Sequence, residues 1–126
     1  MKKVVFTLLT ILITQAALAN KILIPMDESQ ANHLKAYGIA YWVLNQDEAI
    51  DWMLNYKGGS FLLPARTGIE SELTIRGVSY QIISDADALK LERMLSSPSS
   101  NMDMMRLEEP PKIAVYSPKS KMPWDD

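Results

Sequence analysis

Short apolar runs of four to seven residues recur along the chain and alternate with segments of helical periodicity. Runs of this length suit buried strands, because stable helices are usually longer than about ten residues. The runs occupy 21–25, 49–55, 61–64, 78–83 and 112–116. Segments whose apolar residues lie three or four positions apart, as in amphipathic helices, cover 30–45, 68–76 and the residues after Ser84. This alternation predicts an α/β fold with a mainly parallel sheet and flanking helices.

One connection between two of the runs predicts a hairpin. Residues 49–55 and 61–64 flank Lys57-Gly58-Gly59-Ser60, and glycine reaches the positive φ angles that tight hairpin turns demand. A phosphate-binding loop would lead directly into a helix. Because a strand follows these two glycines, we predict a turn and no bound cofactor.

The helix over 30–45 carries apolar residues around much of its circumference. Asp27 and Gln30 before it have the spacing of a capping box. Four residues share one face and predict its buried stripe: Leu34, Tyr37, Tyr41 and Leu44. Ile39 and Val43 lie on other sides, so we expect this helix to have neighbours on more than one flank.

The first nineteen residues predict a secretory signal peptide. Lys2 and Lys3 are followed by an uncharged stretch, 4–13, and then by Ala17-Leu18-Ala19, whose small residues suit signal peptidase. The apolar stretch is too short for a membrane span, which needs about twenty residues. Cleavage is predicted before Asn20, and because this residue is not cysteine, no lipid anchor is expected. The mature protein is therefore predicted to be exported, either periplasmic or extracellular.

The mature chain is small, acidic and free of cysteine. Removal of 19 of the 126 residues leaves 107, with 11 basic and 15 acidic side chains and a net charge of −4. This charge disfavours nucleic acid and anionic membranes as partners. Disulfides, thiolate metal sites and cysteine nucleophiles are excluded, and His33 has no second histidine or cysteine with which to share a metal, so no metal site is predicted.

The expected organisation is one α/β module over 20–96, a linker or loop over 97–111, and a further unit over 112–126. The linker is rich in Ser, Pro, Asn, Met and Glu. The last unit starts as a strand, and Pro123 with the acidic residues after it then resembles the first turn of a helix. Since one turn is not a stable helix, we expect an incomplete domain and a longer protein.

Two loops would meet where the strands of a parallel sheet end, which is where open α/β sheets bind ligands. Asp27 and Ser29 follow the first strand, and Ser117 and Lys119 follow the last. Together they would orient a polar small molecule or bind an anion. The alternative is that Asp27 and Ser29 only cap the following helix and that the Lys/Ser loop is solvated.

Aromatic residues are concentrated between positions 37 and 61. Exposed aromatic rings stack on sugars, and an exported protein often meets glycans. Tyr37 and Tyr41 belong to the predicted buried stripe, which leaves Trp42 and Trp52 as candidates for ligand contact. The alternative is that these two rings complete the core.

Four stretches resemble the start of a family of exported bacterial proteins catalogued as asparagine synthetase B: 21–27, 33–42, 55–62 and 112–119. The resemblance covers nearly the whole mature chain and implies a longer protein. Glutamine-dependent asparagine synthetases have a nucleophilic cysteine directly after the initiator methionine and a Ser-Gly-Gly-x-Asp-Ser loop for ATP. This chain has Lys2 and Gly58-Gly59-Ser60-Phe61 instead, so the resemblance transfers no catalytic residue.

These observations favour a non-catalytic N-terminal module of a longer exported protein that helps to frame a site for a polar ligand or glycan. One alternative is a hydrolase or amidotransferase-like enzyme whose catalytic residues lie beyond residue 126. Another is a scaffold that binds a partner through the helix over 30–45. The sequence does not determine the oligomeric state.

Overall fold

A computed structural model describes residues 20–116 of the protein. The predicted signal peptide, the candidate residues Ser117 and Lys119, and the predicted helical turn at Pro123 lie outside the described residues. Within them, eight elements follow one another: β1 (Asn20–Ile24), α1 (His33–Leu44), β2 (Ile50–Leu54), β3 (Ser60–Pro64), α2 (Thr67–Arg76), β4 (Gln81–Ser84), α3 (Asp85–Leu95) and β5 (Asp103–Leu107). No helix in this part of the chain is long and apolar enough to cross a membrane.

The five strands between residues 20 and 116 form one sheet in the order β4-β1-β3-β2-β5, and each neighbouring pair is antiparallel. The predicted mainly parallel sheet is therefore wrong. β1 and β2 do run in the same direction, as the helix between them suggested, but β3 lies between them. The hairpin turns β3 back beside β2, and β3 then pairs with β1 on its other side.

The chain order β-α-β-β-α-β from β1 to β4 is the split βαβ arrangement of ferredoxin-like folds. α1 and α2 each connect two strands that run in the same direction with one antiparallel strand between them. β5 extends this four-stranded unit by pairing with β2 along its full length. Such a topology serves many unrelated functions, so it assigns none by itself.

Apolar residues cover both faces of the sheet and form two cores. On one face, α1 and α2 pack against alternate residues of the central strands, including Ile22, Ile24, Phe61 and Leu63. On the other face, α3 packs against the side chains that point the opposite way: Leu23, Met53 and Leu62. The period of two along each strand thus explains why these short runs are apolar at nearly every position.

The buried face of α1 differs from the predicted stripe. Its buried residues are Ala36, Ile39, Ala40, Val43 and Leu44. Leu34, Tyr37 and Tyr41 are instead exposed to solvent. Small and β-branched residues fit the close approach of the helix to the sheet, whereas the tyrosines are displaced to its outer side.

The chain after α3 also differs from the sequence prediction. β5 lies inside the predicted linker, where Met104 and Met105 pair with Met53 and Trp52 of β2. Flexible methionine side chains adapt to such an edge position. Residues 112–116 do not form the predicted strand. They are exposed and have no regular secondary structure.

Candidate functional site

The loop after β1 contains the candidates Asp27 and Ser29. One carboxylate oxygen of Asp27 accepts hydrogen bonds from the Ser29 hydroxyl and from the Ser29 backbone N–H, the latter at 3.1 Å. These two bonds, together with the positive charge of Lys57, lower the pKa of Asp27. Asp27 is not the cap of α1, because Asn32 accepts the capping bond from the Lys35 N–H. The pair therefore closes a turn, and its predicted partners, Ser117 and Lys119, lie outside the described residues.

Gln30 fixes this loop to the rest of the domain. Its buried amide donates to the carbonyl oxygens of Pro25 and Ser79 and accepts from the backbone N–H groups of Ser79 and Asn32. His33 adds a further link, since Nε2 lies 3.1 Å from the carbonyl oxygens of both Met26 and Asp27. These polar groups are thus engaged in holding the loop.

The Trp52 side chain is held in place by contacts at the hairpin. Its indole N–H donates to the carbonyl oxygen of Gly59 at 3.1 Å, and its ring stacks on Phe61 at a centroid distance of 6.3 Å. The side chain is half-buried against the first core. Both its polar atom and one ring face are therefore already in use at the hairpin.

Trp42 lies in the last turn of α1, beside a cleft of about 200 Å³ between α1 and the start of α2. Seven residues line this cleft: Trp42, Val43, Gln46, Glu48, Arg66, Gly68 and Ile69. The indole is half-buried and packs against the first core, but unlike Trp52 it borders an open cavity. Gly68 has no side chain, so the cleft stays open on that side.

An ion pair crosses the polar rim of the Trp42 cleft. Arg66 and Glu48 lie 2.7 Å apart, with 61% of the Arg66 side chain and 29% of the Glu48 side chain exposed. Exposed ion pairs contribute only about 0–1 kcal/mol. Arg66, the exposed partner, therefore remains available to hydrogen-bond a ligand at little energetic cost.

The structure separates the candidate residues into two places. Asp27 and Ser29 lie near the first residue of α1, and Trp42 lies about 14 Å further along the helix axis. Sequence reasoning selected Trp42 but missed Glu48, Arg66 and Gln46. Glu48 and Arg66 are 18 positions apart in the chain, so no local pattern connects them.

The rest of the described chain offers no metal centre, since residues 20–116 contain no group of three or more His, Asp or Glu side chains that would hold an ion.

No protein-family model, curated protein or solved structure matches the chain. The resemblance to asparagine synthetase B therefore stays a prediction.

Proposed function

We propose that this chain is a ligand-binding module of an exported protein and that its Trp42 cleft holds one sugar ring or a similar small polyol. The observation that carries the proposal is a cleft lined by the Trp42 indole and apolar side chains, with the partly buried Glu48 carboxylate and the exposed Arg66 guanidinium at its rim. Sugars have the matching construction, with C–H groups on their flat faces and hydroxyls around their edges.

The chemistry of the cleft suits a neutral sugar. The electron-rich face of the Trp42 indole attracts the weakly positive C–H groups of a sugar ring. Sugar hydroxyls both donate and accept hydrogen bonds, so one can donate to Glu48 while its neighbour accepts from Arg66. The amide of Gln46 offers both kinds of bond as well.

The size of the cleft limits the ligand. Pockets for drug-sized molecules usually measure about 300–1,000 Å³, whereas this one measures about 200 Å³. A single ring therefore fits better than a long chain, and binding through one stacking surface and a few exposed hydrogen bonds is expected to be weak.

Export is part of the same proposal and rests on the layout of residues 1–19. The resemblance to the longer exported proteins supports the further proposal that this chain is their N-terminal module. N-terminal sequencing of exported material tests the first point. We expect it to begin at Asn20, and recovery of material that begins at Met1 would contradict cleavage.

Saturation-transfer NMR with a panel of neutral monosaccharides and uronic acids tests ligand binding. We expect saturation transfer to a neutral sugar with the parent protein and with Trp52→Phe, and its loss with Trp42→Leu. Leucine keeps the apolar packing but removes the aromatic plane, and Trp52→Phe is the matched control because that ring lies at the hairpin. Equal loss in both variants, or no transfer for any sugar, would contradict the proposal.

The enzymatic alternative is separated by the fate of the ligand. If a glycoside or a glutamine-like amide is converted during incubation with the exported protein, the hydrolase or amidotransferase hypothesis is favoured. If the ligand binds and is recovered unchanged, the binding module is favoured.

A further inference from the structure

Helix α3 covers its face of the sheet alone, whereas α1 and α2 share the opposite face. It begins directly after β4 at one edge of the sheet, leads towards β5 at the other edge, and contacts β4, β1 and β5. α3 therefore crosses the sheet obliquely and leaves a groove of about 350 Å³ on its β4 side. We refer to this space as the α3 groove. It lies between Gln81 and Ile83 of β4, Tyr56 and Lys57 of the hairpin turn, and the segment 87–94 of α3.

The floor of the α3 groove is apolar. Leu23 and Leu91 belong to the second core, and Tyr56 and Ile83 pack against that core. Met94 borders the same space with 45% of its surface exposed. The lining residues of α3 extend over seven positions, or about 10 Å along the helix axis. An elongated apolar ligand therefore matches the groove better than a compact polar one.

Two lysine side chains border this apolar floor. The backbone of Lys57 is fixed, because its carbonyl oxygen accepts a hydrogen bond of 2.9 Å from the Met26 N–H. Its Nζ lies 6.0 Å from the centroid of the Tyr56 ring. Within residues 20–116 Lys57 forms no ion pair, although its charge lowers the pKa of Asp27. Its ammonium group is therefore available to an anion in the groove.

The second lysine, Lys90, already has a partner of its own. Its Nζ lies 3.2 Å from a carboxylate oxygen of Asp87, and 76% of the Lys90 side chain is exposed. The other carboxylate oxygen of Asp87 accepts a hydrogen bond from the Ser84 hydroxyl. The groove thus has two ammonium groups against one carboxylate, on a mature chain whose predicted net charge is −4. This local excess of positive charge favours an anionic ligand.

We propose that the α3 groove binds a straight-chain carboxylate, with its alkyl chain along Leu23 and Leu91 and its carboxylate beside the Lys57 ammonium. If each non-hydrogen atom takes about the 30 Å³ of a water molecule, a groove of about 350 Å³ holds about ten to twelve such atoms. Octanoate and decanoate have this size. A carboxylate accepts charge-assisted hydrogen bonds from an ammonium group, whereas a cationic amphiphile would meet two like charges. The groove and the Trp42 cleft lie on opposite faces of the sheet, so this inference does not depend on sugar binding.

Proton–nitrogen correlation spectra recorded during titration with octanoate test the site, with 1-octanol as the uncharged comparison. We expect the backbone signals of Tyr56, Gln81 and Leu91 to shift and saturate with octanoate. Octanol should bind about three- to fivefold more weakly, as expected for the loss of one exposed charge contact. The affinity for octanoate, but not for octanol, should fall as salt is added, because salt screens exposed charges.

Two substitutions separate the charge of the groove from its apolar floor. Lys57→Gln should weaken octanoate binding about three- to fivefold and leave octanol binding unchanged. Lys35→Gln, at an exposed lysine of α1, is its control. Met94→Glu should weaken octanoate binding at least about tenfold, because it puts a like charge beside the ligand. Leu89→Glu is the matched control on the same helix, since Leu89 is 50% exposed and lies outside the groove.

Three outcomes would overturn the proposal. The first is the absence of saturable shifts with octanoate. The second is equal affinity for octanoate and octanol, or equal losses in a variant and its control. The third is a shift of the Gln81 and Leu91 signals with protein concentration alone, which would show that a second copy of the chain covers the groove.

Discussion

Replacing Gln30 by alanine tests the claim that one buried amide holds two loops together. The side chain forms hydrogen bonds of 2.8 and 3.1 Å to the carbonyl oxygens of Pro25 and Ser79. It also accepts bonds of 2.8 and 3.3 Å from the N–H groups of Ser79 and Asn32. The first loop connects β1 to α1 and the second connects α2 to β4, so the amide bridges segments almost fifty positions apart.

The expected loss of stability follows from these four bonds. Each contributes about 0.5–1.5 kcal/mol net, and a buried group left without a partner costs about 1–3 kcal/mol. Water entering the space left by the amide would restore part of this loss. We therefore expect Gln30→Ala to lower the free energy of unfolding by about 2–4 kcal/mol, a large share of the about 5–15 kcal/mol typical of a domain.

Urea unfolding followed by circular dichroism measures this loss, with Gln46→Ala as the control. Gln46 is exposed, so its replacement should change the free energy of unfolding by less than about 0.5 kcal/mol. A loss below about 1 kcal/mol in Gln30→Ala, or a loss equal to that of the control, would refute the role of the amide as a bridge between the loops.

Three further predictions concern the hairpin turn, helix α1 and the loop after β1. Gly58 has φ +77°, and an added Cβ would lie 2.6 Å from the carbonyl carbon of Met26, so Gly58→Ala should destabilise the protein by about 2–4 kcal/mol. Gly38→Ala should instead stabilise it by about 0.5–1 kcal/mol, and urea titrations that give both changes the same sign would contradict this account. Because hydrogen bonds from Ser29 lower the pKa of Asp27 below its ordinary value of 3.8, its contribution is present above about pH 4 and is lost as the pH falls through the lowered pKa. Asp27→Asn should therefore reduce the loss of stability between pH 7 and pH 3, and an unchanged loss would refute that contribution.

Local features of this fold follow from the sequence because short-range interactions fix them. Gly77 ends α2 in the left-handed conformation, which glycine commonly adopts directly after a helix. Ser84 caps α3 by accepting a bond from the Asp87 N–H, and the hairpin lies where the two glycines indicated. The predicted hairpin is confirmed, and all three features depend on residues fewer than about eight positions apart.

The direction of the sheet depends on contacts between distant residues, and here the prediction failed. Alternation of strands and helices shows that β1 and β2 run in the same direction, but not that β3 separates them. The prediction of which face α1 buries was wrong for a similar reason. Its helical pattern supports two apolar faces, and only the packing against Ile22, Ile24 and Leu63 selects the face with Ala36 and Ile39.

The candidate site was predicted only in part. Trp42 was a candidate because of its residue type, whereas Glu48 and Arg66 become relevant only when the end of α1 meets the start of α2. Trp52 was selected by the same reasoning and turned out to be bonded to Gly59. Residue type alone does not distinguish the two rings, because the difference lies in what each indole contacts.

The indole N–H signals of Trp42 and Trp52 in a proton–nitrogen correlation spectrum test the central claim most directly. During titration with a neutral monosaccharide, the Trp42 signal should shift and saturate, because this ring borders the cleft. The Trp52 signal should stay in place, since its N–H is bonded to Gly59 at the hairpin. A Trp42 signal that does not move with any sugar tested, or a shift confined to Trp52, would contradict the assignment of the Trp42 cleft as the ligand site.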